Sequence, residues 1–280
     1  MMSPRWRTRV SRWLVRAAIG VVILVPLFPV YWMVISSLKR PADLLSVPPT
    51  WFPHDPTFAA YRTVFQVIPF ARSFLNSFLI AGTATLSVLL TSIMAGYVFG
   101  KYHFKGRDAL FWAIVATMFM PPIVTLVPLY WMVQHTGISN AYVRVLLPWL
   151  ANAFGVFLMR QFMMDVPDEL IDAARVDGAS EGRIVFRVVA PLLWPAILTL
   201  GVFAFVYYWN NFLWPLTILQ SASQYPVVLA LAQLLSYNTT VQYQNVVMAG
   251  ALIGSLPTIV VFLLAQRVFV QGIARSGVKG

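Results

Sequence analysis

The sequence contains no cysteine. It can therefore form no disulfide, no thiolate nucleophile and no cysteine-based metal site. Charge is scarce as well: only 10% of the 280 residues are Asp, Glu, Lys or Arg, whereas 59% are apolar. Soluble domains carry about 25% charged and about 45–50% apolar residues. So few charges cannot cover a globular surface of this size, which excludes a soluble enzyme, a disordered chain and a disulfide scaffold. The mean hydropathy of +0.74 instead describes a chain that uses lipid as its solvent. Acidic residues are scarcer than basic ones, 9 against 20 Lys and Arg, for a net charge of +11. In a soluble protein that excess points to nucleic acid; in a membrane chain, basic loops on one side of the bilayer account for it and no nucleic acid is implied. Catalytic and metal motifs are missing too. His54, His103 and His135 stand singly in three separate loops. No G-x-x-x-x-G-K-[ST] run occurs, so the chain has no P-loop with which to cradle the phosphates of ATP.

What the sequence does have is long apolar runs. A spanning helix needs about 20 predominantly apolar residues at about 1.5 Å each. Six stretches qualify: 14–36, 73–98, 109–133, 141–163, 191–216 and 246–268. The first follows a basic arm, residues 1–13. Its apolar run exceeds the roughly 7–15 residues of a signal peptide and no small-x-small cleavage site follows, so it reads as a retained helix. Fifteen of the twenty Lys and Arg fall in the arm and first turn of that helix, in 99–108, in 160–190 and in the tail beyond 266. The segments 134–140 and 217–245 have none. The positive-inside rule then places both termini in the cytoplasm of a multi-pass plasma or inner membrane protein. The expected organisation is the arm 1–13, a first span 14–36, an extracytoplasmic loop 37–72, a core of five spans over 73–270 and a cytoplasmic tail 271–280. The core contains a cytoplasmic loop at 165–190 and an extracytoplasmic loop at 217–245. The fold class is all-α.

None of the six stretches contains an Asp, Glu or Lys, although ion-coupled pumps need ionisable groups at membrane depth. A proton-driven transporter is disfavoured on that ground. The spans offer aromatic and amide groups instead: Trp149 and Asn152 in the fourth, and Tyr207, Tyr208, Trp209, Asn210, Asn211 and Trp214 in the fifth. Amides supply donors and acceptors and rings stack on sugar CH groups, so these residues suit a path for a neutral polyhydroxyl solute. Trp and Tyr also gather at headgroup level without binding anything, and that reading stays open beside the first. Gly96/Gly100 and Gly250/Gly254 permit close helix packing. Pro121, Pro122 and Pro128 interrupt the third span, marking either a kink or part of a path. Asn238-Thr239-Thr240 fits a glycosylation sequon, a pattern short enough to arise by chance.

One loop stands apart. Six of the nine acidic residues are Asp165, Asp168, Glu169, Asp172, Asp177 and Glu181. The spacing predicts two short helices. Pro167 belongs to the first turn of the first, where Asp168 and Glu169 suit the positive end of the helix dipole. Leu170, Ile171 and Ala174 form an apolar stripe at helical spacing, and Gly178 suits a left-handed helix terminus. A second stripe, Ile184, Val185 and Val188, precedes Pro191, which is expected to open the fifth span. Such a loop can lie on lipid, pack on its own helices or dock into a partner. Anionic lipid selects Lys/Arg-rich faces, so the acidic character favours docking.

The run Asp172-Ala173-Ala174-Arg175-Val176-Asp177-Gly178, with Ala190-Pro191 downstream, resembles the EAA loop of binding-protein-dependent ABC importer permeases, roughly E-A-A-x3-G-x9-I-x-L-P. Asp172, Val188 and Ala190 replace the Glu, Ile and Leu of that pattern. Ser37-Leu38-Lys39, Pro49-Thr50-Trp51, Tyr61-Arg62, Ser73-Phe74-Leu75-Asn76-Ser77, the run Trp209-Asn210-Asn211-Phe212-Leu213-Trp214-Pro215-Leu216 and the ending Gly277-Val278-Lys279-Gly280 are similar to the carbohydrate branch of that family, within it to the maltose-permease second-subunit type. Asn211 stands where an Asp is common there. The resemblance implies a type I importer permease that pairs with a homologous permease, two cytoplasmic ATPases and an extracytoplasmic solute-binding protein. ATP and Mg would be bound by the ATPase chains, leaving this one without a cofactor or catalytic residue. Glu169, Leu170, Ile171, Asp172, Ala173, Ala174, Asp177, Gly178 and Pro191 would form the coupling element seated on an ATPase. The loop 217–245 would face the binding protein, and solute contacts in that system lie mainly in the other permease. A permease for glycerol phosphates or amino sugars, and a self-contained secondary transporter or channel, are the alternatives.

Overall fold

The computed structural model describes residues 4–237 and 243–276, and no strand occurs among them. The sequon at Asn238-Thr239-Thr240 and the ending Gly277-Val278-Lys279-Gly280 lie outside the described residues. Helix α1 (Pro4–Leu38) carries the first apolar stretch and is followed by α2 (Pro41–Leu44) and α3 (Ala59–Val67). Helix α4 (Phe70–Lys101) is unbroken over the second stretch. The third stretch is shared by α5 (Arg107–Ala116) and α6 (Pro122–Gln134), the fourth by α7 (Ala141–Leu146) and α8 (Ala153–Met164). Next come α9 (Asp168–Val176), α10 (Glu181–Arg183), a π-helical turn over Ile184–Val189 and α11 (Ala190–Leu192). The chain continues through α12 (Trp194–Trp209), α13 (Leu213–Ile218), α14 (Val227–Tyr237) and α15 (Gln244–Ser276).

Among the described residues, three helices are long and apolar enough to cross a bilayer: Trp13–Leu38 within α1, α4, and Gln244–Gln266 within α15. The number rises to six if each of three bent pairs makes one span. The bends are 107° between Phe119 and Pro122, 42° between Trp149 and Ala153, and 88° at Leu193. The third stretch is thus a folded-back pair rather than one rod. Proline supplies the reason: a residue before proline is pushed out of the helical region, and Pro121 and Pro122 follow one another. In the fifth stretch Pro191 lies before the bend, inside α11, and the long helix opens at Trp194 instead.

The chain divides into two compact units, with boundaries at Ile68/Pro69, Ala230/Leu231 and Ser255/Leu256. In the first unit, the Ser37 and Tyr61 hydroxyls share a hydrogen bond of 2.7 Å. Lys39 is fully buried, donates to the Thr50 carbonyl and lies 4.5 Å above the Trp32 ring. Asn245 donates to the Lys39 carbonyl at 3.0 Å, and a Cβ at Gly250 would fall 2.6 Å from Leu231. In the second unit, α4 packs along both α8 and α12. Lipid is as apolar as leucine, so this packing rests on close contact rather than on escape from water. Gly96 and Gly100 provide the approach. A Cβ added there would meet Met159 Cβ at 2.6 Å and Met163 Cβ at 2.9 Å respectively.

Candidate functional site

The segment from Asp165 to Leu193 is built onto the C-terminal end of α4. Val166 is buried, and Pro167 caps α9 from just outside it, one residue earlier than the first turn expected from the sequence. Lys101, in the last turn of α4, has a side chain only 6% exposed. It donates to the Val166 carbonyl and, at 2.7 Å, to Asp168 Oδ1. That ammonium holds the Asp168 carboxyl below the usual carboxylate range. At its other end α9 closes in a Schellman motif. Ala179 N–H donates to the Ala174 carbonyl and Gly178 N–H to the Arg175 carbonyl, both at 3.0 Å. Gly178 has φ +78°, the left-handed conformation its position called for.

The apolar stripe on α9 divides. Ile171 is 2% exposed and joins the core with Ile184, Val185 and Val189, while Ala174 packs against that cluster. The Ile171 side chain is therefore committed to the chain's own helices, whereas Ala174 is only partly covered. Leu170 is 45% exposed and Val176 88% exposed. With the exposed Glu169, Asp172, Ala173 and Asp177 they make the outer surface of the element. Pro191 is exposed near the 88° bend, away from α9 in sequence. In the second stripe Val189, rather than Val188, is the fully buried residue after Val185. A π-helical turn adds a residue per turn, which shifts the buried positions from the ordinary helical spacing.

Glu181 occupies the junction. Its Oε1 accepts from Arg175 Nε at 2.8 Å, and its Oε2 accepts from the Tyr97 hydroxyl at 2.9 Å. Arg175 also donates to Asp172 Oδ1 at 3.1 Å and lies over the Tyr102 ring. Arg175, with the Tyr102 and Tyr97 hydroxyls, pulls the Glu181 carboxyl down to about 2 against the opposing effect of desolvation. Tyr97 and Lys101 were absent from the residues singled out by sequence. Their partners lie 84 and 67 positions away, so only the four-residue spacing of two polar side chains at a helix end hinted at a shared face.

Elsewhere in the same unit a cavity of about 830 Å³ is lined by residues from the broken third and fourth stretches and from α12. Leu200, Phe203, Ala204, Tyr207 and Tyr208 recur at three- and four-residue spacing, which puts one face of α12 along it. Thr117, Thr125 and Asn152 add polar atoms, and no charged side chain lies in the lining among the described residues. Asn152 also accepts from Gly155 N–H at 3.0 Å, capping α8. Trp149 packs its ring 4.8 Å from that of Tyr208 and sits behind it. The remaining aromatic and amide residues are not in the lining. Trp209 is 1% exposed among Phe74, Phe78 and Phe205. The Trp214 indole donates to the Val145 carbonyl at 2.9 Å. Asn210 donates to the Val206 carbonyl of its own helix, and Asn211 Oδ1 accepts from Trp214 N–H. Those amides serve the backbone.

A bundle of broken apolar helices around an uncharged cavity, with an outward-facing acidic helix anchored at one end, defines a membrane transport permease. The chain belongs to the family described as the binding-protein-dependent transport system inner membrane component, which it matches over residues 92–275. Among its relatives is the arabinooligosaccharides transport system permease protein AraQ of Bacillus subtilis (strain 168), 33% identical over 92% of each chain. Another is the sn-glycerol-3-phosphate transport system permease protein UgpE of Pectobacterium atrosepticum, 33% identical over 91% of this chain and 92% of that one. The fold matches a chain in the crystal structure of a bacterial ABC transporter involved in the import of the acidic polysaccharide alginate. That match has a TM-score of 0.82 at 23% identity and covers 95% of this chain and 98% of the other. The chain is thus an inner-membrane permease component of that family, and its fold is that of the matched transporter chain.

Proposed function

We propose that this chain is one of two homologous permease subunits that pass a neutral, hydroxyl-rich solute into the cytoplasm, driven by two cytoplasmic ATPase subunits and supplied by an extracytoplasmic solute-binding protein. In this reading six spans place both termini and the segment 165–190 in the cytoplasm, following the bias of Lys and Arg. The segment 217–245 faces the binding protein. ATP and Mg are bound by the ATPases, and this chain contributes no catalytic group.

The observation that carries the reading is the two-sided character of α9. Its inner face is fixed to the chain's own core through Ile171, whereas Leu170 and Val176 project outward beside Glu169, Asp172 and Asp177. Exposed apolar side chains ringed by acids, away from the spanning helices, suit a protein cleft better than an anionic lipid surface. ATP-driven closure of the ATPase pair then moves the two seated helices together and biases the permease towards its outward-open state, through the different affinity of ATP for the open and closed ATPases. The neutral solute class rests on the cavity. An anionic solute at membrane depth needs a countercharge, and this lining supplies none. The names of relatives support sugars and, for some, glycerol 3-phosphate; the uncharged lining favours the former. The test is uptake into proteoliposomes holding the complete complex. ATP-dependent uptake of an arabinose oligosaccharide, with glycerol 3-phosphate failing to compete, is the expected result. Uptake without any ATPase, or preference for the phosphate, overturns it.

A further inference from the structure

The coupling segment is joined to the transmembrane core by two different routes. The covalent route runs from α9 through the Gly178 turn, the π-helical turn and the 88° bend at Leu193 into α12. Each of those features departs from the regular i to i−4 ladder, so this route to α12 is not one continuous α-helical rod. The second route is not covalent and is short. Tyr97 and Lys101 lie one turn apart on α4, and each grips one end of the coupling segment. Lys101 holds the entry to α9 at the Val166 carbonyl and Asp168. Tyr97 holds Glu181, which through Arg175 holds the exit of α9. Between the two grips Ile171 packs into the core.

We propose that Glu181 is a positioning residue whose carboxylate latches the coupling helix α9 to α4, so that movement of α9 by a docked ATPase is delivered to α4 rather than absorbed in the turn beyond Gly178. The inference rests on the permease reading above and adds the element that receives the movement. Glu181 suits the task because one carboxylate serves two elements at once. Oε2 takes the hydroxyl of Tyr97, which is itself buried on α4, and Oε1 takes the guanidinium of α9's last turn. Charge-assisted bonds of this kind are stronger than neutral ones and fix geometry as well as distance. Helix α4 is the right recipient, since it packs along α8 and α12, and those two with α4 line the cavity through Asn152, Tyr208 and Val88. The outward residues Leu170 and Val176 take no part in the latch, so docking and transmission are separable.

The experiment compares wild type with Glu181→Ala, Glu181→Gln and Tyr97→Phe in complex with the partner permease and ATPase subunits. Three quantities are read: ATPase retention in a pull-down, hydrolysis stimulated by the solute-loaded binding protein, and amide hydrogen exchange over 168–178. Glu181→Ala is expected to keep ATPase retention, to lose stimulated hydrolysis about tenfold and to speed exchange about tenfold, near the low end of what losing a hydrogen bond to a charged group brings. Glu181→Gln, which still accepts from Tyr97, is expected to recover part of both losses. Tyr97→Phe added to Glu181→Ala is expected to change nothing further, because the carboxylate that the Tyr97 hydroxyl serves is already gone. Unchanged exchange in Glu181→Ala overturns the latch. So does a fall in hydrolysis that merely tracks lost ATPase retention. If the wild-type complex shows no stimulated hydrolysis, the importer reading fails, while the exchange measurement in that same complex still decides the latch.

Discussion

Between Asp165 and Glu181 the chain places its charged groups on an outer surface and anchors the segment by a few buried side chains. Between Tyr207 and Trp214 the pattern reverses: most rings are buried and the amides bond to nearby backbone. Both segments are rich in groups that could serve a ligand, yet the first leaves most of its charged groups outward, whereas the second buries Tyr208, Trp209 and Trp214 and bonds its amides to local backbone. The difference lies in what surrounds each segment. A charged loop outside the bilayer can keep its polar atoms in water. Amides at membrane depth must find partners inside the protein, and the nearest are the carbonyls and N–H groups of their own helix turns. A residue type therefore announces chemistry only when its local backbone does not already claim it.

The largest effect that contrast predicts is in the buried segment. Trp209→Ala removes a ring enclosed by Phe74, Phe78 and Phe205. The resulting cavity is expected to cost about 3–5 kcal/mol, as large aromatic truncations do in cores. In lipid the lost dispersion contacts remain even where the solvent-transfer part is smaller. Abundance in the membrane and transport are expected to fall together, read by quantitative blotting beside uptake. Normal abundance with lost transport means that Trp209 touches solute, and the contrast between the segments breaks.

Gly178→Val probes the other segment. Nothing lies within 4 Å of a Cβ at Gly178, so the obstacle is conformational rather than steric crowding. A non-glycine residue in the left-handed region costs about 1–2 kcal/mol, and a branched one is worse placed. The Schellman closure of α9 opens, and the Arg175–Glu181 pair beyond it loses its geometry. Membrane insertion is expected to be normal while ATPase retention in a pull-down falls about 5- to 30-fold, the equivalent of that cost. Wild-type retention removes the docking role from this segment.

Much of the helical architecture was legible from residues alone, because apolar runs of spanning length are strong signals. Gly96 and Gly100 announced the close crossing with α8, and Gly178 announced its turn. The directions of the stripes were not legible. Periodicity groups Leu170, Ile171 and Ala174 on one side of a helix, but it carries no information on whether that side meets the chain's own core or a partner, and here Ile171 takes the core and Leu170 the surface. The bends were half-announced: Pro121 and Pro122 marked the place, whereas the 107° turn depends on tertiary packing. The cavity drew on Thr117, Met118 and Thr125 from the folded-back stretch, which a straight third span would have pointed along one line.

Acidification tests the anchoring of the outer segment with a smaller effect. Glu181 ordinarily titrates near 4.5 and is pulled down to about 2 by Arg175, Tyr102 and Tyr97, with Asp172 sharing the same guanidinium. A depressed carboxylate contributes its stabilisation fully above the unfolded value and loses it as pH falls through the folded one. Exchange over 168–178, corrected for the intrinsic pH dependence, is expected to stay flat from pH 8 to pH 5. It is expected to accelerate only below pH 4.5, towards about 2. An acceleration already present between pH 8 and pH 6 means that a group other than Glu181 controls the anchor.

The smallest effect belongs to Asn210, and it sharpens the contrast between an amide that faces the cavity and one that does not. Asn210 Nδ2 donates to the Val206 carbonyl at 2.8 Å, one turn back on α12. Its side chain is exposed and absent from the cavity lining. Asn210→Ala removes one local bond, and the freed carbonyl keeps the N–H of Asn210 as a partner at 3.2 Å. The change is expected to cost no more than about 0.5–1.5 kcal/mol and to lower abundance and transport in the same proportion. Asn152 is the control, since it both lines the cavity and caps α8. Asn152→Asp keeps the capping oxygen at a helix N-terminus, where a carboxylate is welcome. It also introduces a negative charge into a lining that has none. Transport of a neutral sugar is then expected to fall more than abundance does. The same disproportion in Asn210→Ala would return that amide to the solute path and erase the distinction between the two.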